Sequence, residues 1–293
     1  MRPAFPILIA AVMVAWTSSV SGAEPAAFTT GMAALEARHG GRLGVAAMEL
    51  GSRSRLVHRE GERFAMCSTF KFLLAAAVAA RVDAGEEQWE RRISYGKKDL
   101  IPWTPVTGKE VNLKAGSMSV SDLCAAAMTW SDNTAANLLL ATIGGPDGLT
   151  RHLRSLGDGT TRLDRIEPEL NSNLPRDERD TTTPDAMIAT MEKLLFGNHL
   201  SKASKQKLTG WLVTNHTGDK RIRAGMNPAW RIGDKTGTGE NGAANDIAVV
   251  WPEAGKPLLI VVFYESTKAT AEERDAVIAA AGRLVREALV PGS

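Results

Sequence analysis

Lys71 is the residue that most constrains how this chain can fold. It stands within Ser68–Val82 (STFKFLLAAAVAARV), a run rich in Ala, Leu and Phe that predicts a buried helix ending near Asp83-Ala84-Gly85. An amine inside an apolar helix needs a partner, so other polar groups must fold against it. Ser68 lies three residues earlier, one turn away on the same face and within reach of the amine. At the helix start, unpaired N–H groups and the positive dipole end favour developing negative charge. A serine hydroxyl is a poor nucleophile until a base takes its proton, and Lys71 is such a neighbour. Alone, the pair would read more simply as a helix cap and a solvated lysine.

Two more motifs argue against that simpler reading. Ser119-Val120-Ser121-Asp122 is a capping box that opens a second Ala-rich helix running to about Trp130. Ser131-Asp132-Asn133 interrupts it before the helical pattern resumes over Thr134–Ile143. A polar triplet between apolar helices sets side chains at a corner facing a cavity, although Ser, Asp and Asn also make ordinary turns. Trp230–Gly239 reads as a strand carrying Lys235-Thr236-Gly237-Thr238-Gly239. Lys235 places positive charge opposite Ser131, and the two glycines leave the strand edge open to a flat ligand. Between these motifs lies Glu167-Pro168-Glu169-Leu170-Asn171, where carboxylate and amide are spaced to share one water. The surrounding stretch, Arg165 to Asp180, lacks apolar periodicity and predicts a compact Ω-type loop.

With its motifs in this order, the chain resembles a class A (active-site serine) β-lactamase over nearly its whole length after the N-terminus. The three motifs are that family's signature. The resemblance implies a Ser68 acyl-enzyme hydrolysed by water that Glu167 activates and Asn171 helps to hold. It leaves the base for acylation open between Lys71 and Glu167. It implies that Ser131 passes a proton to the departing lactam nitrogen and that Asn133 holds the substrate's side-chain amide. The backbone N–H groups of Ser68 and Thr238 form the oxyanion hole, and Asp132 ties down its turn. Arg165 and Asp180 close the loop, and Trp103 walls one side of the cleft. Lys235, Thr236, Gly237 and Thr238 line the substrate-carboxylate end. Many members add an arginine from the strand after KTG, but Ala244 or Asn245 fills that place here. Arg221 is expected to reach the same spot from just before the KTG strand. Motif details are similar to extended-spectrum and carbapenem-hydrolysing members. Gly239 replaces the second active-site cysteine of the latter, so penicillins and early cephalosporins are the expected substrates, with carbapenems weak. Two other readings share the motifs: a D,D-peptidase or transpeptidase acting on peptidoglycan, and a penicillin sensor that stays acylated.

The expected fold is α/β, of the two-lobe serine β-lactamase and D,D-peptidase type. Strand-like runs at Leu43–Glu49, Arg55–Arg59, Trp230–Gly237, Ile247–Trp251 and Leu258–Glu265 flank a helical middle, and helices are expected at Ala26–His39 and Ala271–Leu289. This pattern suggests an α/β lobe from about 24–66 and 214–293, with an all-helical lobe of about 67–213 inserted. The resemblance implies that the sheet is antiparallel and that the active site lies in the seam. Arg2, the apolar stretch Ile7–Trp16 and Ser21-Gly22-Ala23 form a secretory signal peptide over 1–23. The mature chain, 24–293, is then one periplasmic or secreted catalytic domain and a monomer. Its apolar leader is too short to span a membrane. A net charge of +2 with no basic block argues against a nucleic-acid partner. Cys67 and Cys124 are expected as free, buried thiols. The histidines at 39, 58, 152, 199 and 216 form no metal-ligand pattern, so neither metal nor cofactor is expected.

Overall fold

A computed structural model describes residues 23–292, so the expected leader lies outside the described residues apart from Ala23. Five strands form one antiparallel sheet: β1 (Arg42–Glu49), β2 (Arg55–His58), β3 (Arg231–Thr238), β4 (Ala243–Trp251) and β5 (Leu258–Glu265). Their spatial order is β2-β1-β5-β4-β3. β5 pairs with both β1 and β4, which brings the two ends of the chain together at the sheet's centre.

β5 is apolar at almost every position because both of its faces are covered. Leu259, Val261 and Phe263 join the core on the helical side, where Phe72, Leu123 and Met187 also lie. Leu258, Ile260, Val262 and Tyr264 alternate with them and meet two terminal helices on the other side. These are α1 (Ala23–His39), which contributes Phe28 and Met32, and the C-terminal helix Ala271–Leu289, which contributes Val277, Ile278, Ala281 and Val285. The middle of the chain supplies α2 (Phe70–Asp83), α3 (Val120–Thr129), α4 (Asn133–Thr142), α5 (Pro184–Leu195) and α6 (Lys202–Val213). Among the described residues, no helix is long and apolar enough to cross a membrane.

Most expected elements are present, with a few corrections. The second strand stops at His58. The helix expected from Ser68 begins as α-helix only at Phe70, and Cys67–Thr69 form a 3₁₀ turn that feeds it. At the start of α3, Ser119 Oγ accepts from Asp122 N at 3.0 Å, but the reciprocal half of the capping box is replaced by a 2.6 Å contact to the Asp122 carboxylate. Cys67 and Cys124 are free and buried. Burial, reinforced by the nearby Glu167 charge, pushes the Cys67 thiol up to about 12.

Candidate active site

Four separate elements converge on Ser68. The 3₁₀ turn presents the hydroxyl, and Lys71, one turn into α2, donates to Ser68 Oγ at 2.9 Å. The amine also donates to Ser131 O at 2.9 Å and to Asn133 Oδ1 at 2.6 Å. It ion-pairs with Glu167 Oε1 at 2.9 Å, and neither side chain is exposed. Burial lowers the Lys71 pKa, and the Glu167 charge opposes that shift. Glu167 Oε1 in turn accepts from Ser68 Oγ at 3.3 Å. Lys71 and Glu167 thus form one buried ion pair in contact with the serine.

Ser131 closes the other side. Its Oγ lies 3.3 Å from Lys71 Nζ and accepts from Lys235 Nζ at 3.1 Å. An oxygen that accepts from two ammonium groups keeps its own hydrogen free to donate. Lys235 is fully buried, and its pKa falls well below the usual lysine value, first through burial and then through repulsion from Lys71. Asp132 holds the corner rigid: its carboxylate accepts from the backbone N–H groups of Val106, Thr107 and Ala135 and from the Thr107 hydroxyl. The Asn133 amide is held between Lys71 and Pro102 O, the latter at 2.9 Å.

The KTG strand runs close beside the nucleophile turn. A Cβ at Gly237 would stand 2.7 Å from Met66 O and 3.2 Å from Ser68 N, so only glycine allows this approach. At Gly239 a Cβ would lie 2.6 Å from Cys67 Sγ. Arg221 is buried behind the strand end. Its Nη1 donates to Gly237 O and Asn245 O, its Nη2 to Thr238 Oγ1 and its Nε to Asp275, all at 2.7 Å. The Thr236 hydroxyl meets that of Thr217 at 2.5 Å. Trp103 sits at the rim, 62% exposed, with its backbone oxygen accepting from Asn133 N and its indole N–H donating to Trp130 O.

The Ω-type loop delivers Glu167 from below. Asn171 Nδ2 donates to Glu167 Oε2 at 2.5 Å, which leaves Asn171 Oδ1 as a buried acceptor with no partner among the described residues. The Arg165–Asp180 ion pair, at 2.5 Å, ties the two ends of the loop together.

Some residues that build the site escaped the sequence reading. Asn137 clamps the Glu167 backbone from both sides, donating to its carbonyl at 2.8 Å and accepting from its N–H at 3.0 Å. It lies one helical turn beyond Asn133, and that i,i+4 spacing was a usable signal. Asn245 donates to Ala65 O and Met66 O, fastening β4 beneath the nucleophile turn. Cys67, Trp103 and Ser131 all adopt positive φ, at 45°, 68° and 57°. Such backbone conformations cost non-glycine residues energy and cluster at working sites. Among the described residues, no group of His, Cys, Asp and Glu is arranged to hold a metal ion.

An antiparallel sheet with a serine–lysine–carboxylate cluster at its edge defines a class of acyl-transfer enzyme. The chain belongs to the beta-lactamase enzyme family, whose sequence pattern matches residues 27–289. It is similar to the beta-lactamase OXY-2 of Klebsiella oxytoca, 43% identical over 97% of both chains. A beta-lactamase of Citrobacter koseri is 44% identical, again over 97% of both. Among solved structures, an ancestral class A beta-lactamase is 57% identical, with a TM-score of 0.87 covering 89% of this chain and 100% of that one.

Proposed function

We propose that this enzyme opens the β-lactam amide of penicillins and cephalosporins through a Ser68 acyl-enzyme, inactivating the antibiotic and so conferring resistance. The observation that carries this reading is Glu167, a fully buried carboxylate touching both Ser68 and Lys71, with the Asn171 amide on its other oxygen. A transpeptidase or a sensor has no use for a base placed to activate water beside its acylated serine.

The Ser68 proton passes to the Lys71–Glu167 unit as Oγ bonds to the lactam carbonyl carbon. The oxyanion forms beside Ser68 N and Thr238 N, where fixed donors give the largest catalytic gain. As the C–N bond breaks, Ser131 donates its hydrogen to the departing nitrogen and draws a replacement from Lys71. Deacylation reverses the flow: Glu167 removes a proton from water, the hydroxide adds to the ester, and Ser68 leaves as the alcohol, taking its proton back from the Lys71–Glu167 pair. Asn133 and Trp103 frame the substrate's acyl side chain, and Thr236 and Thr238 take its carboxylate. Residues 24–293 act as one monomeric domain exported to the periplasm or medium, with the helical lobe at about 67–213 inserted in the α/β lobe. With Gly239 beside Cys67, penicillins and early cephalosporins are turned over better than carbapenems.

Nitrocefin tests the reading. Many turnovers per enzyme, unchanged after dialysis against a strong chelator, are expected. A single stoichiometric burst would identify a sensor, and chelator-sensitive turnover would remove the serine mechanism.

Arg221 supports the carboxylate end by holding Thr238 Oγ1 as an acceptor, which turns that hydroxyl's hydrogen towards the substrate. The contact exists in ground and transition states alike, so its loss mainly raises KM. A charge-assisted hydrogen bond predicts a rise of about ten- to a hundredfold for Arg221→Ala. Arg223 instead ion-pairs with the fully buried Asp234 at 2.6 Å and donates to Leu212 O and Val213 O. Arg223→Ala should therefore lower Tm without a selective KM effect. Penicillin kinetics and melting curves of the two variants side by side would reveal a reversed assignment.

A further inference from the structure

Two carboxylates lie behind the KTG strand, and the steps above use neither. Asp234 on β3 and Asp246 on β4 are both 0% exposed. In the β3–β4 register Asp234 faces Ala248 and Thr236 faces Asp246, so the two acids are diagonal neighbours on one face of the sheet. Diagonal Cβ atoms lie about 7 Å apart or somewhat less, a gap that two carboxyl groups can span. Their outer oxygens are engaged: Asp234 Oδ2 accepts from Asn215 Nδ2 at 2.7 Å, and Asp246 Oδ2 accepts from Ile222 N at 3.0 Å. The remaining two, Asp234 Oδ1 and Asp246 Oδ1, have no hydrogen-bond partner among the described residues. Asp234 Oδ1 has the Arg223 guanidinium 2.6 Å away as an unaligned ion-pair contact.

Asp246 Oδ1, an orphan acceptor buried beside a carboxylate that Arg223 already pairs, costs free energy that a proton on it, donated to Asp234, would remove. Arg221 and Arg223 both act on Asp246, and Arg223 and Lys235 on Asp234, yet burial and the neighbouring carboxylate outweigh them at Asp246. Arg223 takes Asp234, whereas Arg221 is engaged by Asp275 and by the strand carbonyls. Lys235 points through the other face of β3 to Ser131. The direction of titration agrees: burial, then the Asp234 charge, pushes the Asp246 carboxyl well above its usual value, and burial raises Asp234 against the pull of Arg223.

We propose that Asp246 is a positioning residue for the carboxylate end of the cleft and that it works as a neutral acid, donating its proton from Oδ1 to Asp234 Oδ1. It acts through Arg221. Its other oxygen pins the N–H of Ile222, the residue after Arg221, and so fixes the backbone from which the guanidinium reaches Gly237 and Thr238. This role rests on the function proposed above; the shared proton itself does not.

Between about pH 4, where a free carboxyl titrates, and the higher folded value, the native state binds the extra proton. Stability from this pair is therefore fully present at acid pH and is lost as pH rises through that window.

Two variants test the proposal. In Asp246→Asn the amide oxygen can still accept from Ile222 N while its NH₂ donates to Asp234 Oδ1, imitating the protonated acid. Its penicillin KM and kcat should stay within about twofold of wild type. Its Tm should match wild type at acid pH and exceed it increasingly as pH rises. Asp246→Ala loses both partners, and KM should rise about tenfold with little change in kcat. A KM penalty in Asp246→Asn equal to that in Asp246→Ala would show that the negative charge matters, and would overturn the proposal. A wild-type KM in Asp246→Ala, or a Tm difference between Asp246→Asn and wild type that does not change with pH, would overturn it equally. If Asp246→Ala does not fold, the Asp246→Asn kinetics and melting curves still decide. Absence of nitrocefin turnover by wild type would instead sink the proposed function, leaving the pH-dependent Tm as an independent test of the proton.

Discussion

After a short pulse of penicillin, Glu167→Ala should carry one whole antibiotic mass on Ser68, whereas Ser68→Ala should carry none. Opening a lactam ring expels no fragment, so acylation adds every atom of the substrate and intact-protein mass spectrometry reads the adduct directly. Ser68→Ala removes the atom that forms the bond. Glu167→Ala leaves Lys71 at 2.9 Å from Ser68 Oγ and still held by Asn133 and Ser131. Its amine, moreover, loses the carboxylate that most favours its charged form, so burial lowers its pKa further and more of it is neutral and able to accept the Ser68 proton. What the variant lacks is a group to deprotonate water on the far side of the ester. Loss of a general base typically costs about 10²–10⁴-fold, enough for the adduct to accumulate within the pulse. Wild-type turnover by Glu167→Ala would remove Glu167 from deacylation. An unmodified Glu167→Ala protein would make Glu167 indispensable for acylation as well.

The residues that carry this chemistry were legible because their types are expensive where the pattern puts them. Lys71 in an apolar helix, a polar corner between two Ala-rich helices and a lysine followed by glycines on a strand each demanded partners, and they partner one another. The scaffold beneath them was harder to read. Asn245 and Asp246 stand near the start of a strand that is otherwise apolar, and two buried polar residues there ought to have signalled hidden partners. Their partners, Ala65 O, Met66 O and Ile222 N, are backbone groups, which no side-chain pattern marks. The left-handed backbone at Cys67, Trp103 and Ser131 was invisible for a related reason. None of the three is glycine, asparagine or aspartate, the residues that announce such a turn. Tertiary contacts impose it. The nucleophile turn, squeezed between Gly237 and Asn245, is 3₁₀ and not yet α-helix.

Asp180→Asn should separate the two halves of the reaction, keeping acylation of small penicillins while slowing deacylation. Asp180 is fully buried, and its carboxylate accepts from Asp164 N at 2.7 Å, Arg165 N at 2.9 Å and Arg165 Nε at 2.5 Å. Its own backbone adopts φ 60°, a conformation asparagine tolerates as readily as aspartate. The substitution therefore tests the charge and not the turn. An asparagine oxygen can still serve the two N–H groups of 164 and 165, but its NH₂ then faces the guanidinium. Breaking a buried pair costs about 3–5 kcal/mol. The lower end is expected, because Arg165 keeps Ser172 at 3.0 Å and Asp177 at 3.7 Å. That energy holds the two ends of the loop together, whereas Ser68 sits on the 3₁₀ turn, Lys71 on α2 and Ser131 at the corner between α3 and α4, and none of these side chains bonds to the Asp180 carboxylate. A displacement of about 1 Å can cost up to a hundredfold in rate, and Glu167 would bear it despite the Asn137 clamp, since that clamp holds only its backbone. Pre-steady-state kinetics with a chromogenic penicillin should show an undiminished acylation burst followed by a steady state at least about tenfold slower. Equal losses in both phases would mean that the pair supports the whole domain and not the loop that carries the base.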